Sequence, residues 1–129
     1  MTLDITPLYA MALAILMFLL WLNVVKRRGA AGVSLGHGGD SALHVRIRQH
    51  GNFIEYMPIV LLLMALAELR GADATALHVA GILLVASRVL HPFGMHPDRV
   101  MHVLRIVGNT GSLIALFTAT GAILTTYPG

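Results

Sequence analysis

The longest uncharged runs in the sequence constrain the fold more than any other feature. Residues 7–25 are nineteen consecutive uncharged positions, and residues 106–129 contain no charge either. A helix rises about 1.5 Å per residue, so a run of this length crosses a hydrocarbon core of about 30 Å. Only 12% of the residues are charged and 57% are hydrophobic, whereas about a quarter of a soluble protein is charged. The sequence therefore predicts an integral membrane protein with one span near each end.

Two less apolar segments between these runs, residues 41–69 and 75–90, predict two further helices. Little more than the turn 70–73 separates them, so we expect an antiparallel hairpin. Asp40 or Ser41 is expected to cap the start of the second helix, because short polar side chains satisfy its free N–H groups. We predict an all-α, four-helix membrane bundle that forms one domain over residues 1–129, with spans near 7–25, 41–69, 75–90 and 103–126.

The positive charges indicate how the helices are oriented across the membrane. Basic residues follow the first uncharged run instead of preceding it, which favours a retained span over a cleaved signal peptide. With four crossings, Arg70 alone lies on one side, and cytoplasmic loops carry the excess of Lys and Arg. We therefore expect both termini outside the cytoplasm and both long loops inside it. The basic residues on the expected cytoplasmic side are Lys26, Arg27, Arg28, Arg46, Arg48, Arg88, Arg99 and Arg105.

The stretch RIRQHGNFIEYMP, residues 46–58, places costly polar groups directly before an apolar run. Arg48, Asn52 and Glu55 follow one another at i, i+4 and i+7, so they lie on one face of the second helix. Counted back from Leu69, Arg48 lies at the cytoplasmic surface and Glu55 roughly 10 Å inside it. A charge that faces lipid costs about 2.5 to 3.5 kcal/mol near the bilayer centre. We therefore predict that this face points into the bundle.

A second set of polar residues surrounds the connection between the third and fourth helices. Arg88 and His91 end the third helix, and Arg99 and Arg105 flank the start of the fourth. The residues alone leave two interpretations open. The polar groups can hold a zwitterionic ligand, because arginine binds carboxylates bidentately and glutamate accepts hydrogen bonds from an ammonium group. Alternatively, Arg88 and Glu55 pair with each other and only hold the helices together.

Several patterns narrow the functional classes. The sequence has no cysteine, so it carries no thiolate metal site, and any thiol chemistry needs a thiol from a ligand. Its seven histidines form no H-E-x-x-H motif, and we predict no metal site. The net charge is +3, yet no basic patch is interleaved with aromatic residues, so we predict no nucleic-acid partner. A stripe of small residues predicts close helix packing: Gly108, Ser112, Ala115, Ala119 and Ala122.

The pattern Arg48-x-x-x-Asn52-x-x-Glu55-Tyr56, followed by Pro58, resembles the signature of MAPEG, the membrane-associated proteins in eicosanoid and glutathione metabolism. The stretches RQHGNFIEYMPIVLLLMALAELRGA and HVAGILLVASRVLH are similar to the bacterial inner-membrane branch of that family. The resemblance implies a homotrimer that binds glutathione between subunits near the cytoplasmic side. It also implies a multi-pass protein of the bacterial inner membrane, surrounded by the lipid bilayer, with both termini periplasmic.

The resemblance also implies roles for single residues. Leu104-Arg105 resembles a Leu-Arg pair in which the arginine stabilises the glutathione thiolate, so Arg105 is the expected catalytic residue and Arg99 its rival. His91 stands near the position of a tyrosine in the eicosanoid-forming members. The residues expected to bind glutathione are Arg48, Asn52, Glu55, Tyr56, Arg88 and His91.

These expectations describe a membrane-bound glutathione-dependent transferase or peroxidase that acts on small hydrophobic electrophiles. Glutathione is its cosubstrate, and an arginine favours the thiolate of a thiol whose pKa is otherwise about 8.5. One alternative is a non-catalytic membrane protein of the same fold that binds glutathione, lipid or a protein partner. A further alternative is a small transporter whose buried polar groups line a solute path.

Overall fold

Four α-helices make up most of the computed structural model, which describes residues 2–127. They are α1 (Thr6–Ala31), α2 (Ser41–Leu69), α3 (Ala74–Leu90) and α4 (Val103–Leu124), and a 3-10 helix (His91–Gly94) extends α3. Each is long and apolar enough to cross a membrane, the third when taken through Gly94. Residues 2–127 contain no β-strand, only one isolated bridge between His96 and Arg99. The predicted all-α fold with four membrane-spanning helices is confirmed, and the homotrimer stays a prediction.

Helix α1 continues beyond the predicted span. The charges that begin at Lys26 end the apolar run, but the helix continues to Ala31 because a helix does not have to end where it leaves the hydrocarbon. It ends at Gly32, whose φ of 64° lies in the left-handed region that glycine adopts readily. Arg28 Nη1 then donates to the carbonyl oxygens of the following loop, among them that of Gly36 at 3.0 Å. Basic side chains thus order the loop that leads to α2.

Helix α2 begins and ends where the sequence predicts. Asp40 is the capping residue, and its Oδ1 accepts a hydrogen bond from the Leu43 N–H at 2.7 Å. Its Oδ2 accepts a second bond from Arg27 Nη2 at 2.6 Å, which joins the end of α1 to the start of α2. The helix then continues without a break through Pro58 to Leu69.

Helices α3 and α4 pack closely because small residues line their contact. A Cβ built on Gly108 would lie 2.7 Å from the Cβ of His91, which is closer than side chains approach. A Cβ on Gly111 would overlap Ser87 Oγ. The predicted role of the small-residue stripe in packing is confirmed, since its five members are all buried: Gly108, Ser112, Ala115, Ala119 and Ala122.

A carboxylate fixes the start of α1 to the end of α2. Glu68 Oε1 accepts from the N–H groups of Asp4 and Ile5 at 2.6 Å, and Oε2 accepts from that of Thr6 at 2.8 Å. These N–H groups have no partner within the helix itself, and a negative charge is favoured at a helix N-terminus. Glu68 therefore caps α1 from a different helix.

Arg70, in the turn between α2 and α3, fixes the end of α4 at the same end of the bundle. Its Nε donates to Thr126 Oγ1 at 2.8 Å, and its Nη2 donates to the Thr126 carbonyl at 3.2 Å. Its Cζ lies 3.9 Å from the centre of the Tyr127 ring, a cation–π distance. The start of α1 and the end of α4 are thus both held by the α2–α3 hairpin.

Candidate functional site

Arg48 and Glu55 lie on the outer surface of the single chain. Arg48 Nη1 is 3.4 Å from Glu55 Oε1, and the two side chains are 47% and 51% exposed. The prediction that this face points into the bundle is therefore wrong for these two residues. The inner face of α2 is occupied by apolar side chains, including those of Phe53, Val60 and Met64. A charge that faces lipid is costly. Residues 2–127 of this chain do not cover Arg48 and Glu55.

Asn52 and Tyr56 instead turn inward, to Arg88 of α3. Arg88 is 1% exposed, and its Nη1 donates to Asn52 Oδ1 at 2.9 Å. Its Nη2 donates to the Gly108 carbonyl of α4 at 2.8 Å, and its Cζ lies 5.1 Å from the centre of the Tyr56 ring. A polar clamp between helices does exist, but it joins Arg88 to Asn52 and not to Glu55. The buried guanidinium is held by two carbonyl oxygens and a ring face, without a carboxylate.

His91 is also closed off from the surface of the single chain. It is 2% exposed and packs against Gly108, and its Nε2 has no hydrogen-bond partner within residues 2–127. A ligand on the outer face of α2 does not touch His91 in this arrangement, so its binding role stays a prediction.

A groove brings Arg48 of α2 together with Arg105 of α4. We name it the basic groove: it has a volume of about 220 Å³ and is lined by Arg48, Arg105, His44, His96, Val45, Met95 and Pro97. Arg105 makes one long hydrogen bond, from Nη1 to the Val100 carbonyl at 3.5 Å. The two arginines therefore present most of their N–H groups to an anionic ligand, and arginine suits carboxylates because its planar fork binds two oxygens at once.

The chain segment between α3 and α4 positions Arg105. Gly94 lies so close to α4 that a Cβ on it would overlap the backbone nitrogen of Arg105. His102 caps α4, since its Nδ1 accepts from the Leu104 N–H at 3.3 Å. Arg99, the rival arginine, lies exposed in the connecting loop and is not among the residues that line the basic groove. Of the two arginines, the fold brings Arg105 to Arg48.

Several residues of this region were not predicted from the sequence. His44 lies one helical turn before Arg48, so its place on the same face could have been found from the spacing alone. Met95 and His96 belong to an irregular segment, which has no periodicity from which a facing direction can be read. Gln49 was also missed, although its Nε2 donates to the Pro92 carbonyl at 2.8 Å and so fixes this segment to α2. Within residues 2–127, no three His, Cys, Asp or Glu side chains are grouped as metal ligands.

Comparisons with known proteins identify the family of the chain. The model of the MAPEG family matches residues 6–125. Two similar curated proteins are both named inner membrane protein YecN, one from Escherichia coli strain K12 and one from E. coli O6:H1 strain CFT073. Each is 40% identical over 92 residues, which cover 71% of this chain and 70% of the relative. No solved structure matches. With nearly all of its four-helix bundle inside the family match, the chain belongs to the MAPEG family.

Proposed function

We propose that the protein is a membrane-bound glutathione-dependent transferase or peroxidase that acts on small hydrophobic electrophiles. One observation carries the proposal: a membrane-spanning helix exposes an Arg48–Glu55 pair beside a groove that contains Arg105. Membership in the MAPEG family supports it. We also propose that the chain is one domain, that the site faces the cytoplasm and that both termini are periplasmic, since eight of nine Lys and Arg residues lie on one side of the predicted topology.

A second copy of the chain is the proposed cover for the exposed pair. Apolar side chains continue the same face of α2 at Ile59, Leu62 and Leu66, each 42–53% exposed. Steps of four and three residues from Glu55 onward are typical of a helix that packs along a partner helix. An Arg–Glu pair at the edge of such a face avoids lipid if another subunit covers it, because charges in lipid are costly. These features support assembly through α2, and the family resemblance implies three copies.

The chemistry of glutathione matches the exposed groups. The tripeptide carries two carboxylates, one ammonium group and one thiol. Arg48 and Arg105 provide two guanidinium groups for carboxylate or thiolate, and Glu55 can accept hydrogen bonds from the ammonium group. The chain itself has no cysteine, so the ligand supplies the sulfur. The proposed binding set is completed by Asn52, Tyr56, Arg88 and His91.

Arg105 is the proposed catalytic residue because a guanidinium beside the thiol stabilises the thiolate. A free thiol with a pKa of about 8.5 is mostly protonated at neutral pH, so this stabilisation raises the concentration of the nucleophile. In the transfer reaction the sulfur forms a bond to carbon and the leaving group departs with the electron pair. In the peroxidase reaction two glutathione molecules reduce one hydroperoxide to an alcohol and water and become glutathione disulfide. Arg99 is the rival for the same role.

A non-catalytic binding protein is the second candidate, and one observation favours it. Asn52, Tyr56 and Arg88 are occupied with one another, so in the single chain only part of the expected binding set is open to a ligand. Such a protein would hold glutathione, or a related anion, without activating its thiol.

Calorimetry with the detergent-purified protein tests the binding part of the proposal. We expect glutathione to bind, and Arg48→Gln and Glu55→Gln each to weaken binding by about tenfold or more, because each removes a charge-assisted hydrogen bond. Arg46→Gln is the matched control, since Arg46 lies two residues away on a different side of α2 and does not line the basic groove. The absence of any binding heat with glutathione in the wild type would contradict the enzyme and the glutathione-binding protein alike.

Thiolate absorbance separates the enzyme from the binding protein. Glutathione mixed with the protein at neutral pH should show thiolate absorbance that Arg105→Ala removes and Arg99→Ala leaves unchanged. The reverse result would assign the role to Arg99. If glutathione binds but conjugates an aryl halide no faster with the protein than without it, the binding protein is the better description.

A further inference from the structure

A second cavity, larger and far more apolar than the basic groove, lies between α1 and the end of α3. We name it the apolar crevice: it has a volume of about 470 Å³, and its walls include Leu16 and Leu19 of α1, Val89 of α3 and Phe93 of the 3-10 helix. Leu19, Val89 and Phe93 are 50%, 42% and 68% exposed, so the crevice opens to the surroundings of the helices. In a bilayer those surroundings are lipid chains.

A polar cleft continues the crevice at one end. We name it the headgroup cleft: it has a volume of about 310 Å³ and is lined by residues that include Ser41, Arg46 and Pro97. It shares Gln49, Met95 and His96 with the apolar crevice, so the two spaces adjoin. The combined space is apolar over most of its length and basic at one end.

Arg46 has capacity left for an anion in this cleft. Its Nη1 donates to the Asn23 carbonyl at 3.2 Å, and the guanidinium makes no other hydrogen bond and no ion pair within residues 2–127. A guanidinium has five N–H groups, so most of them are available. Arginine binds phosphate oxygens with two parallel hydrogen bonds. The hydrogen bond to the Asn23 carbonyl would hold the Arg46 guanidinium in one orientation for this contact.

The depth of each group in the membrane matches the parts of a phospholipid. Thr6 and Leu69 mark one common end of the bundle, because Glu68 binds the Thr6 N–H. Leu16 lies ten residues from Thr6, so it is about 15 Å deep, near the middle of a hydrocarbon core of about 30 Å. The Asn23 amide is about 26 Å deep, near the opposite boundary of the core.

The Cα of Arg46 lies beyond that boundary. It is twenty-three residues from Leu69 along α2, or about 35 Å, whereas the headgroups extend the bilayer to about 40 to 45 Å in total. The crevice therefore spans one leaflet, from the bilayer middle to the headgroup layer. Its amides lie at the boundary of that layer, and so does the Arg46 guanidinium, which reaches back to the Asn23 carbonyl. A lipid fits this order, with its acyl chain in the apolar crevice and its headgroup beside Arg46.

From this match of depth and charge, we propose that the crevice and cleft bind one anionic phospholipid of the arginine-rich leaflet. One acyl chain lies in the apolar crevice, and Arg46 binds the phosphate in the headgroup cleft. The headgroup cleft has room for more than a lone carboxylate, which favours a phospholipid over a free fatty acid. The headgroup cleft adjoins the basic groove, since both are lined by Val45, Met95, His96 and Pro97, but their arginines differ: Arg46 lines only the cleft and Arg48 only the groove.

Native mass spectrometry of the detergent-purified protein tests this site. The probes are phosphatidylglycerol and phosphatidylcholine with identical acyl chains, and sodium oleate as a free fatty acid. We expect one phosphatidylglycerol per chain, bound about tenfold more tightly than phosphatidylcholine because of the added charge-assisted bonds. Arg46→Gln should reduce the affinity for phosphatidylglycerol to that for phosphatidylcholine, and Arg46→Lys should keep most of the preference because it keeps the charge.

A second pair of variants tests the acyl-chain part without touching the charge. Leu19→Trp should fill the crevice and reduce the affinity for both phospholipids by about tenfold, whereas Ile15→Trp should have no effect. Ile15 is on the same helix and 64% exposed, and it does not line the crevice. Circular dichroism should show the same helix content in all four variants. Glutathione binding should be unchanged by Arg46→Gln. The phospholipid proposal and the glutathione proposal can therefore each fail without the other.

Four results would overturn the proposal. The first is equal affinity for the two phospholipids, and the second is an Arg46→Gln variant that keeps the preference. The third is one-to-one binding of oleate without binding of phosphatidylglycerol, which would make the occupant a free fatty acid. The fourth is a change in the number of chains per particle in Leu19→Trp, which would make the crevice a contact between copies of the chain.

Discussion

At the end of the bundle where α1 begins and α4 ends, Glu68 and Arg70 bond to the termini of other helices, whereas Arg48 and Glu55 at the opposite end lie on the outer surface of the bundle. Glu68 accepts from three backbone N–H groups of α1, and Arg70 donates to Thr126 beyond α4. Arg48 and Glu55 at the other end touch only each other, at 3.4 Å and about half exposed. Glu68 and Arg70 are therefore engaged with helix termini, whereas Arg48 and Glu55 remain available for a ligand or a second subunit.

The contrast shows two ways in which the lost hydration of a charged side chain near a membrane is compensated. For Glu68 the compensation lies within the chain, because backbone N–H groups replace the water that the carboxylate loses. For Arg48 and Glu55 it does not lie within the chain, so their position is stable only beside headgroups, a ligand or another protein surface. Removing a charge at the first end should reduce stability, and removing one at the second should reduce binding.

Arg88 differs from Arg48 and Glu55 because it is buried, and its loss should have the largest effect on stability. Arg88→Ala removes hydrogen bonds to Asn52 and to the Gly108 carbonyl and leaves a cavity, so we expect a loss of about 3 kcal/mol in the free energy of unfolding. Circular dichroism during denaturation in a detergent mixture measures it. Arg99→Ala, in the exposed loop, is the matched control and should change stability by less than about 0.5 kcal/mol. A change of similar size in both variants would contradict the structural role of Arg88.

Glu68 and Glu55 provide the direct test of the contrast. Glu68→Ala removes the cap of α1 and should lower the free energy of unfolding by about 2 kcal/mol. Glu55→Ala removes an exposed ion pair, which contributes between about 0 and 1 kcal/mol. The same denaturation experiment compares the two variants, and equal losses would show that the two ends do not differ. In the glutathione titration the order should reverse, with Glu55→Ala the weaker binder.

The sequence predicted the helices better than it predicted their mutual orientation. The bounds of α2 follow from Asp40 as a cap and from the turn at residues 70–73, which are local signals. The end of α1 was missed because the uncharged run ends at Lys26 but the helix does not. Capping and turn residues determine where a helix ends. The thickness of the hydrocarbon core determines only where its apolar part ends.

The site shows a second limit. The spacing of Arg48, Asn52 and Glu55 predicted a shared face, yet Asn52 turns to Arg88 while the other two stay outside. The rotation of α2 is set by its packing against the other three helices, and the spacing of polar residues within α2 carries no information about those contacts. The energetic argument asks for a cover over these charges, but sequence alone does not distinguish a cover from the same chain from a cover supplied by a second copy.

Gly94 tests whether the packed connection between α3 and α4 positions the exposed site. Gly94→Ala places a Cβ against the backbone of Leu104 and Arg105, so we expect a loss of about 1 kcal/mol in the free energy of unfolding. It should also weaken glutathione binding, because the first turn of α4 has to move. Gly121→Ala is the control, since a Cβ there meets no atom within 4 Å, and it should leave stability unchanged or raise it slightly. Unchanged glutathione affinity in Gly94→Ala would contradict the positioning role.

Asp40 should give the smallest effect, and that effect should be lost in acid. Hydrogen bonds from the Leu43 N–H and from Arg27 hold the pKa of this carboxyl below its ordinary value of 3.8. Its contribution to stability is therefore complete above the ordinary pKa and decreases as the pH falls toward the lowered one. Asp40→Asn keeps the helix cap, because asparagine caps as well as aspartate, but it removes the ion pair with Arg27. We expect the difference in stability between wild type and Asp40→Asn to be constant from pH 7 to 5 and to shrink below pH 4. A difference that does not depend on pH would show that the Arg27–Asp40 pair, although it is closed like the contacts at the other end, does not stabilise the fold.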